Sequence, residues 1–378
     1  MTKVVYLLAA GLVLIGSGAA YSSSRAKPAT LASANGPIVA FAQDGNQIAW
    51  GSIPDYPPPR CAAEVRIRLV SKHKQKVITP PSGATCHDEY GWGQPAGPDF
   101  FVLAGRRALW ETTVCGNYCH IRLTTGSYSA KRDQMLFPDD DYERYFYDYE
   151  YGTGDYLTAA ADSSTIVYGV AEIGVAPSNC GEDSGITCTN VISGGSVNRV
   201  TGTDAVEIPG APPPFRLAAS GRRIAVIVAE SSSGKGSPVG PGSPARVVVL
   251  DAYSGDKTGS FALEGRPEAL AFSPTAVGAL TSVSEGKQIE FYLPAGEPIR
   301  TVSVPAGATS LSMSSTRAVF RVGRSIWTVA IKSGAVKRIA TAAKTPIGLS
   351  IEGTRVAWAE NIKVKQGKRG RVRAITVK

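Results

Sequence analysis

From Pro346 to Glu360 the chain alternates apolar and polar positions with a period of two. Ile347, Leu349 and Ile351 fall on one side, Glu352 and Gly353 interrupt, and Val356 and Trp358 resume the alternation. Successive side chains of a strand point to opposite faces, so the pattern predicts two short strands joined by a tight turn. The unit recurs along the chain. Second strands of the form Arg/Thr, Ile/Val/Ala, Ala/Val, aromatic occur at Gln47 to Trp50, Arg107 to Trp110, Thr165 to Tyr168, Arg223 to Val226, Ala276 to Ala279, Arg317 to Phe320 and Arg355 to Trp358. The strands expected before them are Ile38 to Ala42, Phe100 to Leu103, Tyr156 to Ala160, Phe215 to Ala219, Ala269 to Ser273, Ser310 to Met313 and Ile347 to Ile351.

The last residues of these second strands stand at 50, 110, 168, 226, 279, 320 and 358, so the steps shrink from 60 to 38 along the chain. A bare unit of about 40 residues is the length of a four-stranded propeller blade, and the excess in the first half is insertion. Each copy also offers a second hairpin. Val247 to Leu250 leads through Asp251 to Gly255 into Gly259 to Leu263, and Ile326 to Ile331 turns at Lys332, Ser333 and Gly334 into Val336 to Ala340. Turns are expected likewise at Thr125-Gly126 and at Ser193 to Gly195. The strands of each copy are lettered A to D, with A innermost. The seventh copy ends after a C strand, Arg371 to Val377, while Ala29 to Ser33 has no other place, so this N-terminal segment is expected to pair there and close the ring. The expectation is an all-β, seven-bladed β-propeller of four-stranded antiparallel blades, forming a single domain over 21–378.

Gly221 to Ala225, reading Gly-Arg-Arg-Ile-Ala, is followed by Val-Val-Leu-Asp-x-x-Ser-Gly from Val248 to Gly255, and Ala271 to Pro274 reads Ala-Phe-Ser-Pro. In these segments the chain resembles the TolB-like and WD-repeat-like propellers of exported bacterial proteins, although the Ser-Pro-Asp-Gly of that repeat is nowhere complete. The resemblance covers most of 37–377 and implies a binding platform; propellers serve many functions, so it is specific for fold.

Lys3, the apolar run Val4 to Ile15 and the small residues Gly18, Ala19 and Ala20 have the layout of a signal peptide over 1–20, with a mature start near Tyr21. The alternative is an uncleaved anchor, for which the apolar run is short. The expected location is outside the cytoplasm, secreted or in the envelope. Six cysteines suit that compartment, and sequential pairing is expected: Cys61 with Cys86, Cys115 with Cys119, Cys180 with Cys188. A zinc site built on Cys115, Cys119 and His120 lacks a second ligand pair. A formal charge of +9 favours anionic surfaces such as envelope polymers. The basic residues near the C-terminus, Lys363, Lys365, Lys368, Arg369, Arg371 and Arg373, read as a solvated hairpin.

In a propeller, the B-to-C and D-to-A connections emerge on one face and the A-to-B and C-to-D turns on the other. Ser52 to Arg60, Cys115 to Cys119, Gly174 to Cys188, Glu230 to Pro244 and Gln366 to Gly370 are B-to-C loops; Pro80 to Pro98, Gln134 to Asp155 and Thr201 to Pro214 are D-to-A connections. All the long insertions, and the cysteines within or beside them, thus gather on one face, where loops on a rigid frame carry function. The candidate binding residues there are Asp139, Asp140, Asp141, Tyr142, Glu143, Tyr145, Tyr147, Tyr149 and Tyr151. The four alternating tyrosines share one side of an extended strand, a stripe suited to sugar rings or a protein partner. The carboxylates could take Ca²⁺ but lack the glycine and terminal glutamate of an EF-hand loop, so no cofactor is expected. The chain contains no Gly-x-Ser-x-Gly, no phosphate loop and no His-Glu-x-x-His. The function expected is a non-catalytic binding scaffold, a monomer engaging a protein or envelope polysaccharide rather than nucleic acid. The alternative is a polysaccharide lyase or hydrolase at the channel mouth, with acids from Asp139 to Asp155 and His87 or His120 as acid and base.

Overall fold

The computed structural model describes residues 27–52, 64–78, 101–115, 119–129, 134–135, 145–148, 153–175, 190–229, 237–238, 245–365 and 367–377. These form seven antiparallel blades around a channel. Blade 1 comprises Ile38–Asp44, Gln47–Ser52, Glu64–Leu69 and Lys74–Ile78, and blade 2 comprises Phe101–Ala104, Arg107–Cys115, Cys119–Ser127 and Gln134–Met135. Blade 3 is Thr153–Asp162, Thr165–Val175, Asn190–Thr201 and Asp204–Glu207; blade 4 is Arg216–Ser220, Arg223–Ala229, Ala245–Asp251 and Lys257–Ala262. Blade 5 is Arg266–Phe272, Val277–Val283, Gly286–Tyr292 and Pro298–Val304; blade 6 is Ala308–Met313, Arg317–Val322, Ser325–Ala330 and Val336–Thr341. Blade 7 takes Ile347–Glu352, Arg355–Val364 and Gly367–Thr376 from the C-terminal end and Ala29–Ala34 from the N-terminal end. Ala29 pairs with Ala374 and Ala34 with Gly370, closing the ring as the missing D strand requires.

The recurring sequence unit is explained by the wedges between blades. Each of seven buried clusters joins two neighbouring blades. B strands are covered on both sides and alternate between clusters. Trp358 packs with blade 6, whereas Ala357 and Ala359 pack with blade 1. The fourth residue of every recurring unit, the third of the B strand in blade 5, turns toward the preceding blade: Trp50, Trp110, Tyr168, Val226, Ala279, Phe320 and Trp358. The first residue has the opposite parity and reaches toward the following blade. Arg107 donates to Val200 O of blade 3 at 3.2 Å, Arg223 to Pro274 O of blade 5 at 2.7 Å, and Arg355 to Gly45 O of blade 1. In blades 2, 4 and 7 the unit thus makes one bond forward and one wedge backward.

The strand boundaries depart from the sequence reading in four places. Thr125 and Gly126 lie inside a continuous C strand, paired with Leu109 and Ala108. Ser193 to Gly195 is likewise no hairpin turn but an irregular step within Asn190–Thr201. Gly195 holds φ +137°, and a Cβ on it would stand 2.1 Å from Val170 O, so glycine serves a bulge there. The expected connection Thr201 to Pro214 contains the turn and D strand of blade 3, and Gln366 to Gly370 is mostly strand, because Val364 already pairs with Gly367.

Candidate binding faces and the central channel

The seven A strands line a channel of about 730 Å³. Its lining includes Phe41, Phe101, Leu103, Leu217, Leu311 and Leu349 along the strands, and it becomes polar at the A-to-B turns. The residue that leads from the A strand into the A-to-B turn is Asp44, Ala104, Asp162, Ser220, Ser273, Ser314 or Glu352 in blades 1 to 7. The three carboxylates each cap the turn of the next blade. Asp44 accepts the N–H of Gly105, Asp162 that of Gly221 at 2.5 Å, and Glu352 that of Gly45. Burial lifts the Asp44 carboxyl above its ordinary range; the Gly105 bond resists this and the charge of Asp162 adds to it. Glu352 is raised in the same way, by burial first and then by Asp44 and Asp162, against the Gly45 bond and Arg355. The turn-side mouth is thus locally acidic in a basic protein. Among the described residues no three His, Cys, Asp or Glu side chains are grouped to hold a metal ion.

The loop face is asymmetric. In blades 5 to 7 it is held by short connections. The buried Glu360 accepts the Ala343 N–H at 2.7 Å and pairs with Arg371 at 2.6 Å; the buried Glu290 accepts the Glu264 N–H at 3.1 Å and the Thr281 hydroxyl at 2.6 Å. Blades 2 and 3 instead extend their B and C strands outward, to the pairs Cys115 with Cys119 and Val175 with Asn190. A further strand, Tyr145–Asp148, lies between the extensions. Tyr145, Phe146 and Tyr147 pair with Ile121, His120 and Cys119 of blade 2, while Tyr147 and Asp148 pair with Gly154 and Thr153 of blade 3. The two blades become one ten-stranded sheet. Ser237–Pro238, from the B-to-C segment of blade 4, adds to it by pairing with Ile192 and Val191.

Of the residues singled out from the sequence, Tyr145 and Tyr147 belong to a hydrogen-bonded strand that lies within the D-to-A connection between blades 2 and 3 and bridges the two. Cys115 and Cys119 are direct register partners. Asp139, Asp140, Asp141, Tyr142, Glu143, Tyr149 and Tyr151, as well as Cys61, Cys86, Cys180, Cys188 and His87, lie outside the described residues. The turn-side carboxylates escaped notice because they occupy a position that varies between acid, serine and alanine. Their signal is the Asp or Glu directly before a turn Gly or Ser in three of seven copies.

No protein-family model and no curated protein sequence matches the chain. Solved structures do. The protein shares its fold with the acylaminoacyl peptidase of Pyrococcus horikoshii, at 10% identity and a TM-score of 0.51 over 85% of this chain and 48% of that one. The β-propeller domain of the Trilobed protease from Pyrococcus furiosus aligns at 8% identity, TM-score 0.49, over 88% and 93%. A prolyl endopeptidase aligns at 14% identity, TM-score 0.46, over 90% and 46%. The chain spans about half the length of the acylaminoacyl and prolyl peptidases it matches. The class defined by blades and channel is the seven-bladed β-propeller, and identities this low establish fold alone.

Proposed function

We propose that this is an exported, non-catalytic binding propeller of the TolB-like, WD-repeat-like kind, which holds a protein or an envelope polysaccharide on its loop face. The observation carrying the reading is the bridging strand Tyr145–Asp148, seated between the extensions of blades 2 and 3. A strand whose backbone is hydrogen-bonded to two blades is preorganised, so less entropy is lost when a partner binds on it. Support for export comes from the N-terminal signal layout and from Cys115 and Cys119, which stand opposite each other across a hairpin where a disulfide would brace its tip.

The test is retention on immobilised envelope polysaccharide and on purified envelope proteins. Changing Tyr145, Tyr147, Tyr149 and Tyr151 together to Ser should abolish retention with the thermal midpoint of the propeller nearly unchanged. Retention equal to that of the parent protein would remove the loop-face ribbon from consideration. N-terminal sequencing of exported protein should begin near Tyr21.

A further inference from the structure

On the face opposite the tyrosine ribbon, arginines of blades 3 and 4 stack on one exposed tyrosine, and an arginine of blade 2 is bonded to the backbone beside the first of them. Tyr253, in the C-to-D turn of blade 4, is 43% exposed. Its turn fixes it: Asp251 Oδ1 accepts the N–H groups of Tyr253 and Ser254 at 2.8 and 3.0 Å. The guanidinium carbon of Arg199, on the C strand of blade 3, lies 4.2 Å from the ring centroid, and that of Arg222, in the A-to-B turn of blade 4, lies 4.6 Å from it. Arg107 of blade 2 is the third. It bonds Val200 O, next along the chain from Arg199, at 3.2 Å. Burial pulls the Arg107 pKa below its ordinary range, and Tyr253 acts electrostatically against that.

Charge does not balance here. Asp251 pairs with Arg222 at 3.4 Å, with the Arg222 side chain 67% exposed, and Asp162 is engaged by the Gly221 N–H. Among the described residues no carboxylate pairs with Arg199 or Arg107. The tyrosine face relieves part of the repulsion by cation–π attraction, which is worth only about 0.5–1 kcal/mol at an exposed site. An anion placed among the guanidiniums would relieve more, since charge-assisted bonds to guanidinium forks are the strong ones. Donors arriving from three blades suit a tetrahedral group with several oxygens better than a planar carboxylate with two.

We propose that Arg107, Arg199 and Arg222, with the Tyr253 hydroxyl, form a binding site for a phosphate group, carried either by free phosphate or by a phosphodiester-containing envelope polymer. The site does not depend on the loop-face reading, because none of its residues lies on that face.

The experiment is calorimetric titration of the mature protein with inorganic phosphate and, separately, with a glycerol phosphate polymer, at ionic strength held constant with chloride. Phosphate should bind, and Arg199→Gln and Arg222→Gln should each weaken it about tenfold or more, the scale of one charge-assisted bond. Tyr253→Phe keeps the stacked ring and should weaken binding only a few-fold. Thermal midpoints without ligand identify any variant that fails to fold, and the exposure of Arg222 makes its variant the control for Arg199→Gln. Tighter binding of the polymer than of inorganic phosphate assigns the site to the polymer, and the reverse assigns it to the free ion. Absence of phosphate binding to the parent protein, or equal affinity in folded Arg199→Gln and Arg222→Gln variants, overturns the proposal.

Discussion

Ring closure depends on one side chain outside the closing strand. Asn361, on the B strand of blade 7, accepts the Ile38 N–H through Oδ1 at 2.8 Å and donates from Nδ2 to Ile38 O at 2.9 Å. A side-chain amide thus clasps the backbone where blade 1 begins, 323 residues away. Ile38 is 1% exposed, so water does not replace what is removed. Changing Asn361 to Ala leaves the Ile38 N–H without this acceptor, a loss of about 1–3 kcal/mol, and deletes a bond to its carbonyl worth about 0.5–1.5 kcal/mol. The sum, about 1.5–4.5 kcal/mol, is a large share of a usual domain stability of about 5–15 kcal/mol. Asn361→Asp keeps the acceptor but directs a carboxylate oxygen at a carbonyl oxygen, so it should be worse than Ala at pH 7 and recover at pH 4, where a protonated carboxyl can donate again. The assay is urea unfolding followed by tryptophan fluorescence, with Trp50 and Trp358 both buried near the closure. A loss below about 0.5 kcal/mol for Asn361→Ala, the range of neutral surface changes, would refute the clasp as a closing element.

Deleting Ala29 to Ala34 should cost more than Asn361→Ala, because it removes a paired strand with the buried Ala32 and Ala34 and uncovers Val372 and Ala374; an unchanged melting temperature would count against closure by this strand. Gly348→Ala should destabilise by over about 1 kcal/mol in the same urea assay, since the residue holds φ +58° and its Cβ would meet Phe41 O at 2.6 Å. Asp44 and Glu352 have carboxyl pKa values raised by burial, so the folded state holds their protons at pH values where the unfolded chain has lost them. Their contribution is full below the unfolded carboxylate range and is lost as pH rises through the folded pKa. The double variant Asp44→Asn, Glu352→Gln, which keeps both acceptors, should therefore gain stability relative to the parent at pH 8 and gain less at pH 4. A gain independent of pH would show that these two groups do not titrate as described.

The fold was legible because the wedge between blades imposes one pattern seven times. In five of the seven units an aromatic at the fourth position faces backward, and most units begin with Arg or Thr, so Arg355 to Trp358 could be matched to Arg107 to Trp110 across unequal spacings. Hairpin turns were less legible. Ser193, Gly194 and Gly195 look like a turn by composition, but glycine is also what a bulge needs where the neighbouring backbone comes close, and only the register tells the two apart. The loop-face strand was half visible: the alternation of Tyr145, Tyr147, Tyr149 and Tyr151 indicated an extended ribbon, yet nothing local says that Tyr145–Asp148 pairs with two blades. The arginine group around Tyr253 was invisible for the same reason. Arg107, Arg199 and Arg222 come together only through the order of blades in the ring.

That order also explains why insertion and regularity divide as they do. Among the described residues, four turn-side side chains that bridge blades are bound to a neighbour's backbone: Asp44 to Gly105, Asp162 to Gly221, Arg223 to Pro274, Arg355 to Gly45. An insertion there would displace a cap or a staple and open a wedge, so the turns stay short. On the loop face of blades 2 and 3 the strands simply continue outward, and added chain can be absorbed by further pairing, as Tyr145–Asp148 and Ser237–Pro238 are. Variation at the loop face leaves the ring intact, whereas a binding site on the turn face has to be made from side chains already at blade junctions. The guanidiniums at Tyr253 are of that kind: Arg199 of blade 3 and Arg222 of blade 4 stack on the ring face, and Arg107 bridges blade 2 to blade 3 through Val200 O, beside Arg199.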